Sequence, residues 1–171
     1  MNRGESPASS QGASFTDIGE SPFRDAIVRC CRRGWFLGVA VTRFGPCRPM
    51  TRGMLAAVLH RAAGSPSLDR RGFFLDVSPR AYYEAAADWC ACRGLMEGGG
   101  NGRFFPDRSL SWEELALALW RWRGSPREKH ASGDEAVSWA RENGLFPRGS
   151  LGRFVLRGQA AQVLDRFWSL P

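Results

Sequence analysis

The feature that most constrains the fold is an internal repeat with a spacing of 60 residues. The repeated positions are Phe44 and Phe104, Pro46 and Pro106, Arg48 and Arg108, Met50 and Leu110, and Gly34 and Gly94. A repeat of this length is one supersecondary unit, which buries its apolar face by stacking on similar units. We therefore predict a compact array of related units rather than a set of unrelated domains.

The repeat divides the chain into three units at residues 15–66, 67–126 and 127–171. The third unit is shortened, because its inner loop is about five residues shorter than that of the second unit. Its last helix nevertheless keeps a complete apolar stripe. Residues 1–14 are polar, and they are predicted to form a disordered tail.

Each unit carries two helix signals separated by a loop, which predicts an all-α fold of three helix-loop-helix repeats. Ser111 and Glu114 form a capping box that starts the second helix of unit two. Met54 and Leu156 weaken the matching caps, so the other two second helices are expected to fray more. Short irregular segments are expected near 15–18 and 74–77. The apolar residues predicted to be buried together are Leu55, Val58, Leu59, Leu115, Leu119, Trp122, Val163, Leu164 and Phe167.

The chain is strongly basic, with a formal net charge of +7 at pH 7. Almost all of the positive charge comes from arginine, since Lys129 is the only lysine. This charge favours an anionic partner, although a genome that encodes Arg wherever a solvated cation suffices would give the same excess. No apolar run is long enough for a transmembrane helix, and residues 1–14 lack the apolar core of a secretory signal. We expect no membrane insertion.

Candidate catalytic and metal-binding groups are sparse. The five cysteines have no zinc-ligand spacing, and we interpret them as small core residues. His60 and His130 lack a nucleophile or carboxylate in a recognisable catalytic arrangement. We therefore expect no enzyme activity, no metal, no cofactor and no small-molecule substrate. A nucleic-acid-binding module is the rival from another class, favoured by the arginines and aromatics but lacking a base-reading helix or a clustered basic run.

Several local motifs resemble those of a known family. They lie at residues 44–46, 49–52 and 101–104, and in Leu110 with the Ser111 capping box. Together they resemble the S-layer homology family, whose modules usually occur three in tandem, and the resemblance spans about Phe15 to Trp168. It implies a helical, pseudo-threefold bundle. It also implies grooves that bind anionic, often pyruvylated, secondary cell-wall polysaccharide and so anchor a protein at the cell surface.

The resemblance and the chemistry of acidic sugars together select candidate glycan-binding residues. A carboxylate or phosphate suits a helix N-terminus reinforced by an arginine in the first turn, which is where Arg52 and Arg157 fall. Trp112 occupies this position in unit two, either as a platform for a sugar or as a filler against a neighbouring helix. The alternative interpretation of Arg52 and Arg157 is that they are solvated arginines on an exposed first helical turn, with no role in binding. The full set is Arg52, Arg157, Trp112, Thr51, Gly53, Ser111, Gly158 and Tyr82.

The chain also departs from the family pattern. The family's glutamate is replaced by Met54 in unit one and Gln159 in unit three, and its opening tryptophan is replaced by Phe23 and Tyr82. These changes suggest one or two working grooves rather than three. A degenerate module that serves only as a structural or protein-docking unit is therefore an alternative. We expect the chain to be a monomer.

Overall fold

A computed structural model of the chain describes residues 15–69, 72–124, 132–149 and 151–171. Within these ranges the fold is all-α, as predicted, with six helices and no strand. The helices are α1 (Arg24–Arg32), α2 (Arg52–Ala62), α3 (Glu84–Cys92), α4 (Trp112–Trp122), α5 (Gly133–Glu142) and α6 (Arg157–Phe167). None of these described helices has the length and apolar character needed to cross a bilayer. The predicted tail at 1–14 lies outside the described residues.

The helices pair in a closed cycle. The second helix of each unit packs against the first helix of the next unit, in the pairs α2 with α3 and α4 with α5. The last helix, α6, returns to pack against α1. This arrangement brings the first and third units into contact although they are distant in sequence. It has the approximate threefold symmetry that the repeat predicts.

Three backbone hydrogen bonds close a ring where the three second helices begin. The amide of Met50 donates to the carbonyl of Val155 at 2.8 Å, and the amide of Val155 donates to the carbonyl of Leu110 at 3.0 Å. The amide of Leu110 completes the ring by donating to the carbonyl of Met50 at 2.8 Å. All three side chains are fully buried, so the ring lies inside the core.

The apolar stripes meet in one core, as the periodicity predicts. Eight of the nine residues expected to be buried together are buried in this core, and Trp122 is only partly buried against it. Cys30 and Cys90 are also buried in the core, at equivalent positions on α1 and α3, whereas Cys47 and Cys92 are exposed, so the interpretation of all five cysteines as core residues is wrong for those two. Burial raises the pKa of the Cys30 thiol to about 12, which keeps it protonated and unreactive.

An aspartate at the opening of units one and two holds the inner loop of the same unit. Asp17 accepts from the amides of Phe44 and Gly45 at 2.9 and 2.8 Å, and Asp76 makes the equivalent two bonds at 2.7 and 2.8 Å. Burial alone raises the pKa of each carboxyl, but the backbone amides outweigh it, so both pKa values lie below the ordinary value.

The first turns of α2 and α6 are satisfied by loops from neighbouring units. The amide-to-carbonyl bonds run from Arg52 to Arg108 (3.0 Å), Gly53 to Pro106 (2.8 Å), Arg157 to Arg48 (2.9 Å) and Gly158 to Pro46 (2.9 Å). The hydroxyl of Thr51 also caps α2, and the side chain of Gln159 accepts from the amide of Leu156. Met54 completes no capping box and Leu156 makes no side-chain cap, as predicted, but carbonyls from other units accept from the first amides of both helices. The greater fraying expected of these two helix starts stays a prediction.

Candidate functional site

The structure places Arg52 and Arg157 in the interior. Only 5% of Arg52 and 4% of Arg157 is exposed, so the interpretation of either residue as a solvated first-turn arginine is wrong. The amides of their first turns are already hydrogen-bonded to loop carbonyls. The helix N-termini therefore offer no free donors at these residues, and any anion at these helices has to be recognised by side chains.

Arg52 has a complete set of partners within the protein. Its Nε donates to the carbonyl of Phe104 at 2.8 Å, and its Nη2 donates to the carbonyl of Glu97 at 2.6 Å. Its Nη1 forms an ion pair with Oε1 of Glu114 at 2.6 Å. The same carboxylate also pairs with Arg108. The buried charge of Arg52 is thus neutralised internally.

Arg157 repeats this geometry without the carboxylate. Its Nε donates to the carbonyl of Phe44 at 2.9 Å, and its Nη2 donates to the carbonyl of Leu37 at 2.8 Å. Its Nη1 faces the sulfur of Met54 at 3.6 Å, and thioether sulfur is only a weak acceptor. Among the described residues, no carboxylate pairs with Arg157. A buried cation therefore lacks a counter-charge.

Two further arginines and a tyrosine surround Arg157. Burial lowers the pKa of Arg157 to about 10. The thiol of Cys31 and the phenol of Tyr82 oppose that lowering, whereas the neighbouring cations Arg48 and Arg61 add to it. We call Arg157, Arg48 and Arg61, together with Leu37, Met54 and Tyr82, the unit-1 arginine site. It reaches solvent through Arg48, Leu37 and Tyr82, which are exposed.

The equivalent residues of the next repeat form the unit-2 arginine site. Its members are Arg52, Arg108 and Arg121, together with Glu97 and Glu114. Arg121 pairs with Glu97 through Nη2 and Oε1 at 3.0 Å. A cleft of about 200 Å³ opens over these residues. Each arginine here has an ion-pair partner, so this site carries much less uncompensated positive charge than the unit-1 arginine site.

The two candidate glycines permit close packing between units. A Cβ on Gly53 would lie 3.0 Å from the ring of Tyr83, and a Cβ on Gly158 would lie 2.6 Å from the ring of Phe23. Tyr83 is therefore the counterpart of Phe23, which corrects the assignment of that role to Tyr82. Tyr82 instead has 62% of its surface exposed, at the unit-1 arginine site.

The remaining candidates have structural positions. Trp112 is only 5% exposed and packs edge-on against Phe146, with ring centroids 4.9 Å apart. This geometry supports the filler interpretation of Trp112 rather than an exposed platform for a sugar. Thr51 and Ser111 use their hydroxyls to cap α2 and α4. Glycan binding by these residues stays a prediction.

Local sequence motifs do not identify Leu37, Met54 or Arg61 as site residues, and they mark Arg48 only as a repeated position. The signal was available in the 60-residue spacing, which aligns Leu37 with Glu97, Met54 with Glu114 and Arg61 with Arg121. Within the described ranges, no group of three His, Cys, Asp or Glu side chains is placed to hold a metal ion.

Comparison with known proteins associates the chain with the cell surface. No family profile matches it. It is 26% identical over 173 residues to a "Cell surface protein" of Thermoanaerobacter kivui, which covers 92% of this chain and 21% of that protein. It is 31% identical over 111 residues to "Endo-1,4-beta-xylanase A" of Thermoanaerobacterium saccharolyticum, which covers 64% of this chain and 9% of that protein. The chain thus spans about a fifth or less of the length of these relatives. The similarity indicates a surface-associated role.

Proposed function

We propose that this chain is an S-layer homology module that anchors a protein at the bacterial cell surface by binding an anionic, pyruvylated secondary cell-wall polysaccharide. It acts by binding and not by catalysis. The repeat, the helical cycle and the similarity to a cell surface protein support this proposal. The site that we assign to this binding is the unit-1 arginine site.

The observation that carries the proposal is the buried, unpaired guanidinium of Arg157. Burial of a charge without a counter-charge is unfavourable, and such a group is normally paired or neutralised. At neutral pH Arg157 stays protonated, since its pKa is about 10. A ligand carboxylate beside Nη1 would take the place that Glu114 occupies at Arg52. An acidic substituent of the ligand would therefore offset the free energy that burial of the Arg157 charge costs the free protein.

The neighbouring side chains suit the rest of an acidic sugar. Arg48 and Arg61 add positive charge, and an arginine fork recognises a carboxylate through two parallel hydrogen bonds. Arg61 is itself held in place, because its Nη1 donates to the carbonyl of Trp35 at 2.6 Å. Tyr82 and Leu37 present exposed apolar surface on which the C–H face of a sugar ring can lie.

A pull-down with purified cell-wall sacculi tests the proposal. The test variant is Arg48→Gln, because Arg48 is the exposed arginine of the unit-1 arginine site. We expect this change to weaken wall binding by about tenfold, the loss of one charge-assisted contact. Acid treatment that removes ketal groups from the wall should weaken binding of the unaltered chain by a similar factor.

Arg141→Gln is the matched control, because Arg141 is an exposed arginine in the last turn of α5 and belongs to neither arginine site. It should bind walls as the unaltered chain does. Undiminished binding to acid-treated walls would overturn the glycan proposal. No wall binding at all would favour the degenerate docking module. Sub-micromolar binding to random DNA with a steep salt dependence would favour the nucleic-acid alternative.

A further inference from the structure

Two exposed Asn-Gly pairs have different surroundings in the fold. Asn101-Gly102 lies at the tip of the inner loop of unit two, and Asn143-Gly144 begins at the residue that caps the C-terminus of α5. An asparagine followed by glycine loses ammonia readily, because glycine has no Cβ to hinder attack by its own amide nitrogen on the asparagine side chain. The sequence does not distinguish the two pairs, whereas the structure does.

The pair at 143 is held by the fold. The amide of Gly144 donates to the carbonyl of Arg141 at 3.0 Å, so the nitrogen that would attack is already hydrogen-bonded. The side chain of Asn143 is bound as well, because its Nδ2 donates to the carbonyl of Trp139 at 2.8 Å. The next residue, Leu145, is fully buried and ties the pair to the core. Asn143 therefore reaches a reactive geometry only if the end of α5 opens.

The pair at 101 is much less restrained. Within the described ranges, the amide of Gly102 donates to no backbone carbonyl. Every residue at 98–103 is exposed. The amide of Arg103 closes the turn by donating to the carbonyl of Gly100 at 3.1 Å. Because a solvent-exposed backbone hydrogen bond at a loop tip opens at a low free-energy cost, Asn101 can reach a reactive geometry by local opening alone.

We propose that Asn101 is a site of covalent modification, at which solvent water converts the side-chain amide into a carboxylate. The amide nitrogen of Gly102 loses its proton to hydroxide and forms a bond to Cγ of Asn101. The bond from Cγ to Nδ2 breaks, and Nδ2 takes a proton from water and leaves as ammonia. Water then opens the five-membered succinimide at one of its two carbonyl carbons. The products are aspartate, or isoaspartate, whose main chain runs through Cβ and Cγ.

The isoaspartate product changes the main chain of unit two as well as its charge. Its main chain is longer by one methylene group at the tip of the loop. The carbonyl of Gly102, directly after this point, accepts from the amide of Leu75 at 2.8 Å. Isoaspartate should therefore break this bond and loosen the opening segment of unit two, whereas aspartate adds only a charge. In unit one the equivalent bond joins Thr16 to Thr42 at 2.9 Å, but the preceding residue is Val41, which cannot undergo this reaction.

Prolonged incubation of the full chain in neutral buffer, with and without urea, tests the proposal when it is followed by peptide mapping with mass spectrometry. In urea both asparagines should react at similar rates, because each is followed by glycine. In the folded chain Asn101 should react at least about tenfold faster than Asn143, which corresponds to a difference of about 1.4 kcal/mol in the free energy of local opening. Hydrogen exchange at the amide of Leu75 should be faster in the isoaspartate fraction, which chromatography separates from the aspartate fraction.

Two variants serve as controls. Asn101→Gln should stay unmodified at this position, because glutamine would have to close a larger ring, and it should leave the rate at Asn143 unchanged. Asn101→Asp carries the charge of the product without the longer main chain, so exchange at Leu75 should match that of the unaltered chain.

Equal rates at the two asparagines in the folded chain, or a faster reaction at Asn143, would overturn the proposal. An Asn101 that reacts in urea but stays intact in the folded chain would overturn it as well. These outcomes are independent of wall binding, because the reaction uses no residue of the unit-1 arginine site.

Discussion

The unit-1 and unit-2 arginine sites share one scaffold and differ in two side chains. In both sites a buried arginine donates through Nε and Nη2 to two equivalent backbone carbonyls. The remaining nitrogen, Nη1, contacts Glu114 in the unit-2 site and Met54 in the unit-1 site. The second difference is Glu97, whose place is taken by Leu37. The position of an arginine in the repeat therefore does not decide whether it is paired with a carboxylate of the protein or could bind a ligand carboxylate.

What decides it is the counter-charge. A buried arginine with an internal carboxylate holds two units together, and a ligand would have to break an existing ion pair to use it. A buried arginine without one costs stability in the free protein, and a ligand carboxylate recovers that cost on binding. Within the described residues, the protein thus carries one site whose buried arginine is paired with a carboxylate and one whose buried arginine is not.

The largest expected effect is a difference in the free energy of unfolding between variants of the two buried arginines. Arg52→Met leaves Glu114 with only Arg108 as a partner, so we expect a loss on the order of 2–4 kcal/mol in the free energy of unfolding. Arg157→Met leaves the carbonyls of Phe44 and Leu37 without this donor but also removes an unpaired buried charge. We therefore expect the free energy of unfolding to fall by only about 1–2 kcal/mol. Urea denaturation of both variants measures the difference, and equal losses would remove the distinction between the sites.

The next effect is a conversion of the unit-1 site into the unit-2 type. Met54→Glu places a carboxylate next to Arg157 and lets residue 54 complete a capping box with Thr51. We expect a stability gain of about 1 kcal/mol and a loss of wall binding of at least about tenfold. Thermal unfolding and the sacculi pull-down measure the two changes.

Matched variants distinguish charge from capping. Met54→Gln can complete the capping box without adding a charge, so it should stabilise α2 and keep wall binding. The reciprocal change, Glu114→Gln, should destabilise the fold and give the unit-2 site affinity for the wall. Undiminished wall binding by Met54→Glu would show that the missing carboxylate at Arg157 has no functional meaning.

Much of the fold could be predicted because the repeat and the apolar stripes are local signals. They predicted the all-α class, the helix-loop-helix units and the shared core of α2, α4 and α6. The burial of Arg157 could not be predicted, because the residues around it come from all three units. Its carbonyl partners lie 113 and 120 residues away in the chain. Only the alignment of the repeats, which places Met54 at the position of Glu114, indicates that Arg157 lacks a carboxylate partner.

The smallest expected effect is a pH dependence that the first two units should share, in contrast to their arginine sites. Asp17 and Asp76 each accept two backbone amides, which hold the pKa of both carboxyls below the ordinary value although burial raises it. A lowered pKa in the folded state gives stability that is present above the unfolded pKa of about 4 and is lost as pH falls through the folded pKa. Asp17→Asn and Asp76→Asn should therefore each shift the free energy of unfolding downward above pH about 4, by similar amounts, because an amide accepts less strongly than a carboxylate. This difference from the unaltered chain should shrink as the pH falls, since the amide does not titrate, and urea unfolding followed by circular dichroism at several pH values measures it. A shift in only one variant would mean that the asymmetry between the units extends from the arginine sites to the loops that support them.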